Sequence, residues 1–84
     1  MILKLFCIYD SKVEVYTNPM CYKTRGESIR SFSDNLAKGE SNYALHPEDY
    51  VLFEVGTWDC TTCTFDIYPA PVSVGKALEF MPSS

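Results

Sequence analysis

Two periods of apolar and polar residues run along the chain, and the switches between them mark out the elements. Ile2 to Tyr9 is a short apolar and aromatic run that stops at the polar trio Asp10, Ser11 and Lys12. Val13 to Tyr16 then alternates and is bounded by Asn18-Pro19. Two such runs around a short polar turn predict a β-hairpin. In the first run Leu3, Leu5, Cys7 and Tyr9 share one face, and Ile2, Lys4, Phe6 and Ile8 share the other. Both faces are largely apolar, which predicts a central strand or one covered by a partner chain.

The period changes to that of a helix after Thr24. Thr24 and Glu27 fit a capping box, in which the threonine oxygen accepts the N3 amide and the glutamate reaches back to the cap. Ile29, Phe32 and Leu36 form one apolar stripe. Lys38 suits the negative end of the helix dipole, and Gly39 suits a left-handed terminator. The helix is therefore expected at about residues 25–38, packed on a sheet that contains Leu52 and Phe53 or their neighbours. Glu40 to Asp49 reads as a polar loop. Tyr50 to Trp58 and Thr64 to Tyr68 read as a second hairpin, turning at Asp59-Cys60-Thr61-Thr62 and bulged at Gly56. Beyond Pro69-Ala70-Pro71, the segment Ser73 to Phe80 predicts a short helix capped by Ser73. The order ββαββ, with a possible short terminal helix, defines an α+β fold. Its sheet is mostly antiparallel, of about four strands, and is covered by one main helix.

Composition sharpens this picture. With 84 residues, the chain is expected to be a single domain spanning 1–84. Its 46% hydrophobic residues and twelve aromatic rings (five Phe, six Tyr, one Trp) suffice for a core and argue against disorder. They also leave apolar surface over, which points to a homodimer or another protein contact, with the first hairpin as the expected dimer contact. The N-terminus has neither a basic leader nor a cleavage site, and no run approaches a membrane span. A cytosolic protein without a membrane partner is expected. Eleven acids against seven bases give a net charge of −4. Nucleic acid would have to be met by a local patch, because counterion release needs clustered Lys and Arg.

Most candidate chemistry fades on inspection. Cys60-Thr61-Thr62-Cys63 has a metal-knuckle or redox spacing, but Cys7 and Cys21 do not form a second knuckle and His46 has no histidine partner. Reduced thiols filling small sites are the expectation, with no bound metal. His46-Pro47 reads as loop-shaping. The four glycines, 26, 39, 56 and 75, are scattered, so no phosphate loop exists. No catalytic constellation survives, and a protein without enzymatic activity or cofactor is expected. What remains is a basic cluster interleaved with aromatics. Lys23, Arg25 and Arg30 would contact phosphates, Tyr16 and Tyr22 would stack bases, and Lys12 sits in the first hairpin. Reversing Arg25 and Arg30 together is expected to weaken DNA binding at little cost in stability.

Four stretches taken together resemble a known family. KLFCIYDSKVEVY, SIRSFSDNL, HPEDYVLFEVGTWD and VSVGKALEF resemble, in the same order, the small nonstructural protein of gokushoviruses, which are single-stranded DNA microviruses of bacteria. Cys60 and Cys63 depart from the acidic and polar turn of that family. The resemblance implies a phage accessory protein in the host cytoplasm that binds single-stranded DNA and assists the switch to single-stranded genome synthesis. The alternative is an adaptor that engages a host or phage replication protein.

Overall fold

The computed structural model describes residues 1–82. Strand β1 (Ile2–Asp10) lies in the middle of the sheet, as its two apolar faces require. On one side it pairs along its whole length with β4 (Tyr50–Asp59), which in turn pairs with the edge strand β5 (Thr64–Lys76). Its other side is shared by two short strands, β2 (Val15–Tyr16) and β3 (Met20–Tyr22). Thr17 bridges the gap between them. Its N–H donates to the Ile8 carbonyl at 2.8 Å, and its hydroxyl accepts the Ile8 N–H at 2.9 Å. All pairings are antiparallel.

Helix α1 (Arg25–Lys38) has the predicted limits because both ends are set by local chemistry. Thr24 accepts the Glu27 N–H at 3.1 Å. Gly39 takes the left-handed conformation at φ 71° and closes the helix on the Leu36 carbonyl. Phe32 and Leu36 point at the sheet and are buried with Phe6, Ile8, Tyr50, Leu52 and Ala77, while Ile29 packs at the margin. The expected loop at 40–49 contains a one-turn helix α2 (Asn42–Leu45), capped by Ser41, and a 3-10 turn at Pro47–Asp49.

The C-terminal segment corrects the sequence reading. Ser73 does not cap a helix; β5 continues through it to Lys76, and only Ala77–Phe80 forms a 3-10 turn. Pro69 and Pro71 look like breakers, yet β5 is an edge strand, where missing N–H donors cost little. Opposite them the ladder is irregular: Glu54 pairs with Val72 and Gly56 already with Ile67.

A second irregularity decides which way side chains face. In β4, Val55 is an extra residue, because Phe6 pairs with Glu54 and Leu5 with Gly56. A one-residue bulge reverses the alternation beyond it. Tyr50, Leu52 and Glu54 thus share the helix side with Phe6 and Ile8, whereas Gly56 and Trp58 pair with Leu5 and Leu3 and face the open side. Gly56 is needed there, since a Cβ would meet the Asp66 carbonyl oxygen at 2.5 Å and Ile67 Cα at 3.0 Å.

The sheet therefore has two halves. In the proximal half, Phe6–Asp10 and Tyr50–Glu54 are covered by α1. In the distal half, the helix side carries Ile2, Lys4, Thr57, Asp59 and Asp66, and the open side carries Leu3, Leu5, Trp58, Phe65 and Ile67. This distal half is an arm of β1, β4 and β5, met at Lys4 and Leu5 by β3, and it contributes to the 43 Å long axis of a molecule only 17 Å thin.

Candidate nucleic-acid interface

The six residues expected to bind DNA do not lie together. Tyr16 pairs with Tyr9 and faces the open side, whereas Tyr22 pairs with Lys4 and faces the helix side. Tyr22 is half-buried. Its ring meets Phe6 edge-on at 5.9 Å, and its hydroxyl donates to Ser31 at 3.0 Å. It works as a packing residue. Lys23 is exposed just before the helix cap, and Arg30 is exposed along the helix. Lys12 is exposed in the first turn, where its backbone N–H donates to Asp10 Oδ1 at 2.9 Å.

Arg25 has a different task. Its Nε and Nη2 donate to Glu54 Oε1 at 3.2 and 3.0 Å. Glu54 is only 4% exposed, and its other oxygen accepts the Tyr68 hydroxyl at 2.6 Å, with Lys4 Nζ 3.6 Å away. Burial pushes the Glu54 carboxyl up, but the hydrogen bonds from Tyr68 and Arg25 and the charge of Lys4 outweigh it and hold it below the ordinary range. The same hydrogen bond, together with burial, pushes the Tyr68 phenol up. Arg25 therefore satisfies a buried carboxylate at the seam between the two halves. The expectation that its reversal costs little stability does not hold, because Arg25→Glu would place two carboxylates together.

In place of the expected cluster, the fold assembles a different aromatic group. Tyr9, Tyr16 and Phe53 stand together on the open side, with ring centroids 4.7 Å (Tyr9–Tyr16), 5.8 Å (Tyr16–Phe53) and 6.3 Å (Tyr9–Phe53) apart. Tyr16 is 43% exposed. Phe53 cannot also pack under α1, because its neighbour Leu52 does so and side chains alternate along a strand. Alternation could have shown this from sequence; the pairing of Tyr16 with Tyr9 could not have been placed without the turn geometry. Lys12 lies in the turn next to the trio. Across the sheet, Lys76 pairs with Val51 on the same side. A depression of about 380 Å³ opens beside Tyr16, bounded by Val13, Asn42 and Tyr50. Burial and the neighbouring Asp10 push the Tyr50 phenol up, so it remains neutral.

Other candidate groups are scattered. Cys60 and Cys63 lie on the exposed turn of the second hairpin, and Cys60 Sγ contacts the Met1 carbonyl at 3.3 Å. Cys7 is buried under the open side, and burial pushes its thiol up, away from the reactive thiolate. His46, Glu48 and Asp49 bring their ligand atoms within 4.8 Å of one another, a proximity that follows from neighbouring positions around one short turn. No helix among the described residues is long and apolar enough to cross a membrane.

Comparison with known proteins gives one family. A family model described as phage ORF5 protein matches residues 3–80. Neither the curated proteins nor the solved structures compared with the chain give a match.

Proposed function

This chain belongs to the phage ORF5 protein family, and we propose that it is a non-catalytic accessory protein that binds single-stranded DNA on the open side of its sheet. The observation that carries this reading is the trio Tyr9, Tyr16 and Phe53, set on the side away from the helix, with Lys12 exposed in the turn that joins the strands of Tyr9 and Tyr16. Single-strand binders combine aromatic faces, on which bases stack without sequence preference, with cations that track the backbone. Lys12 and Lys76 mark opposite margins of the proximal open side, whereas Lys23, just before the helix cap, and Arg30, on the helix, lie towards the other face and take no part in this site. Bound to nascent strands in the host cytoplasm, such a protein would favour production of single-stranded genomes.

The test is fluorescence anisotropy of a labelled oligonucleotide at two salt concentrations. Tyr16→Ala should weaken binding by the worth of a stacked base, about 1–3 kcal/mol. Lys12→Glu should flatten the salt slope by about one unit. Failure of the wild type to bind at low salt overturns the reading. A protein–protein adaptor is then the better account, and the exposed Phe65 and Ile67 on the arm favour it. Its binding to a replication protein would be insensitive to salt.

A further inference from the structure

We propose that the depression at the free edge of the first hairpin binds a primary alkylammonium group, with the Asp10 carboxylate as its counter-ion. The site is built on the helix side of the sheet. Asp10 pairs with Val15 of β2 on one side and with Tyr50 of β4 on the other, so the three side chains stand abreast on one face. Helix α2 adds Asn42 and Tyr43 to the wall, and the turn adds Val13. The rings of Tyr43 and Tyr50 meet at 90°, 4.8 Å apart, and form a corner. The space is about 380 Å³, which lies within the roughly 300–1,000 Å³ of small-molecule sites.

Electrostatics select the ligand. Glu54 and Asp10 are both carboxylates on the helix side, and the chain treats them differently. Glu54 is given Arg25 and Lys4. Asp10 has no ion pair among the described residues, and Lys12, exposed two positions on, lends it only a backbone N–H at 2.9 Å. None of the described residues that line the depression is Lys, Arg or His. Burial and the charge of Asp10 push the phenols of Tyr43 and Tyr50 up, so both stay neutral. The depression thus holds one negative charge with nothing to balance it.

A carboxylate among valines and tyrosines suits a cation that brings its own apolar stem. A nucleotide would set its phosphate against Asp10, with no lining cation to hold it. A bare calcium or magnesium ion would need several hard oxygens, and Asp10 is the one carboxylate among the described lining residues. Ammonium is favoured over guanidinium, because the Lys12 N–H already occupies Oδ1 and a bidentate fork needs both oxygens. Asn42 offers an amide oxygen for a further N–H. The ammonium can belong to a free polyamine or to a lysine side chain of another protein; the chemistry is shared, and the test separates the two.

The proposal does not depend on DNA binding, and its test contains no nucleic acid. Amide-correlation NMR of the whole chain is recorded with 1,4-diaminobutane, with Nα-acetyl-lysine methylamide and with the uncharged 1,4-butanediol. At least one of the amines should shift the amides of Asp10, Val15, Asn42 and Tyr50 together and saturably at millimolar concentrations, and the diol should not. Asp10→Asn, which keeps an oxygen for the Lys12 N–H, should weaken amine binding at least tenfold. Val15→Lys supplies an ammonium opposite Asp10 from within the chain, so it should block the site with the carboxylate intact, and it serves should Asp10→Asn disturb folding. Tighter binding of the diamine assigns the site to free polyamines, and tighter binding of the lysine derivative assigns it to a protein side chain. The absence of any saturable shift up to tens of millimolar overturns the proposal. So does equal binding of the diol, or undiminished amine binding by a folded Asp10→Asn or Val15→Lys chain.

Discussion

Strands β1, β4 and β5 run through both halves of the sheet, yet the two halves solve the problem of apolar surface in opposite ways. In the proximal half the apolar side chains of one face, Phe6, Ile8 and Leu52, are almost completely buried under Phe32 and Leu36 of the helix. In the distal half the helix side is polar apart from Ile2, and most apolar residues lie on the open side, where Phe65 and Ile67 remain exposed. The extra residue Val55 makes the exchange possible, since it reverses which residues of β4 face which side. The lesson is that one strand can serve a core at one end and a surface at the other without any change in its overall hydrophobicity.

That contrast can be broken most severely in the core. Phe6 is 0% exposed, and Phe6→Ala should cost about 3–5 kcal/mol. In a domain this small that is a large part of the total stability, and a urea melt should show a much lower midpoint or no folded baseline.

A smaller effect is expected at the seam. Arg25→Glu should destabilise on the order of 3 kcal/mol, since it leaves Glu54 buried beside a like charge. Arg30→Glu, on exposed helix, should stay within about ±0.5 kcal/mol. Thermal melts of the two variants give the comparison. Glu54 also dictates a pH dependence. Its folded pKa lies below the unfolded value, so its contribution is complete above the ordinary carboxylate range and is lost as pH falls through the folded pKa. Melts run from neutral to acid pH should show an acid limb that is shallower in Glu54→Gln.

The smallest effect should come from the arm. Ile67→Ser removes a side chain that is mostly in water, so the stability of the isolated chain should change by no more than about 0.5 kcal/mol. A loss as large as that of Phe6→Ala would mean that the arm is a second core, and the contrast drawn above would fail.

How much of this could be read from the sequence depended on whether the determining chemistry was local. Thr24, Lys38 and Gly39 fixed both ends of the helix, because caps act within a turn. Gly56 marked the irregular β4–β5 pairing, and the two apolar faces of Ile2–Tyr9 marked the central strand. The errors arose where the cause lay far along the chain. Pro69 and Pro71 read as the end of a strand, because only the finished sheet shows that β5 is an edge. Arg25 read as a free cation, because its partner Glu54 is 29 residues away. Tyr22 read as a stacking platform, because its position opposite Lys4 follows from the register of β3. For the candidate interface, Tyr16 and Lys12 kept their places. Phe53, which completes the aromatic group, comes from a strand joined to the first hairpin only by tertiary pairing.

Trp58 is the protein's single tryptophan, and its place on the arm separates two optical signals. Excitation at the red edge of aromatic absorption selects its indole alone, so its emission reports on the arm and is blind to the Tyr9–Tyr16–Phe53 group. Its Nε1 is shielded and has no hydrogen-bond partner within the described residues, so the indole should emit further to the blue than one in water. Covering the arm would alter quenching of this emission by iodide or acrylamide, whereas a ligand held at Tyr16 would leave it unchanged. The chain thus carries its own label at the end of the sheet whose neighbours are in question.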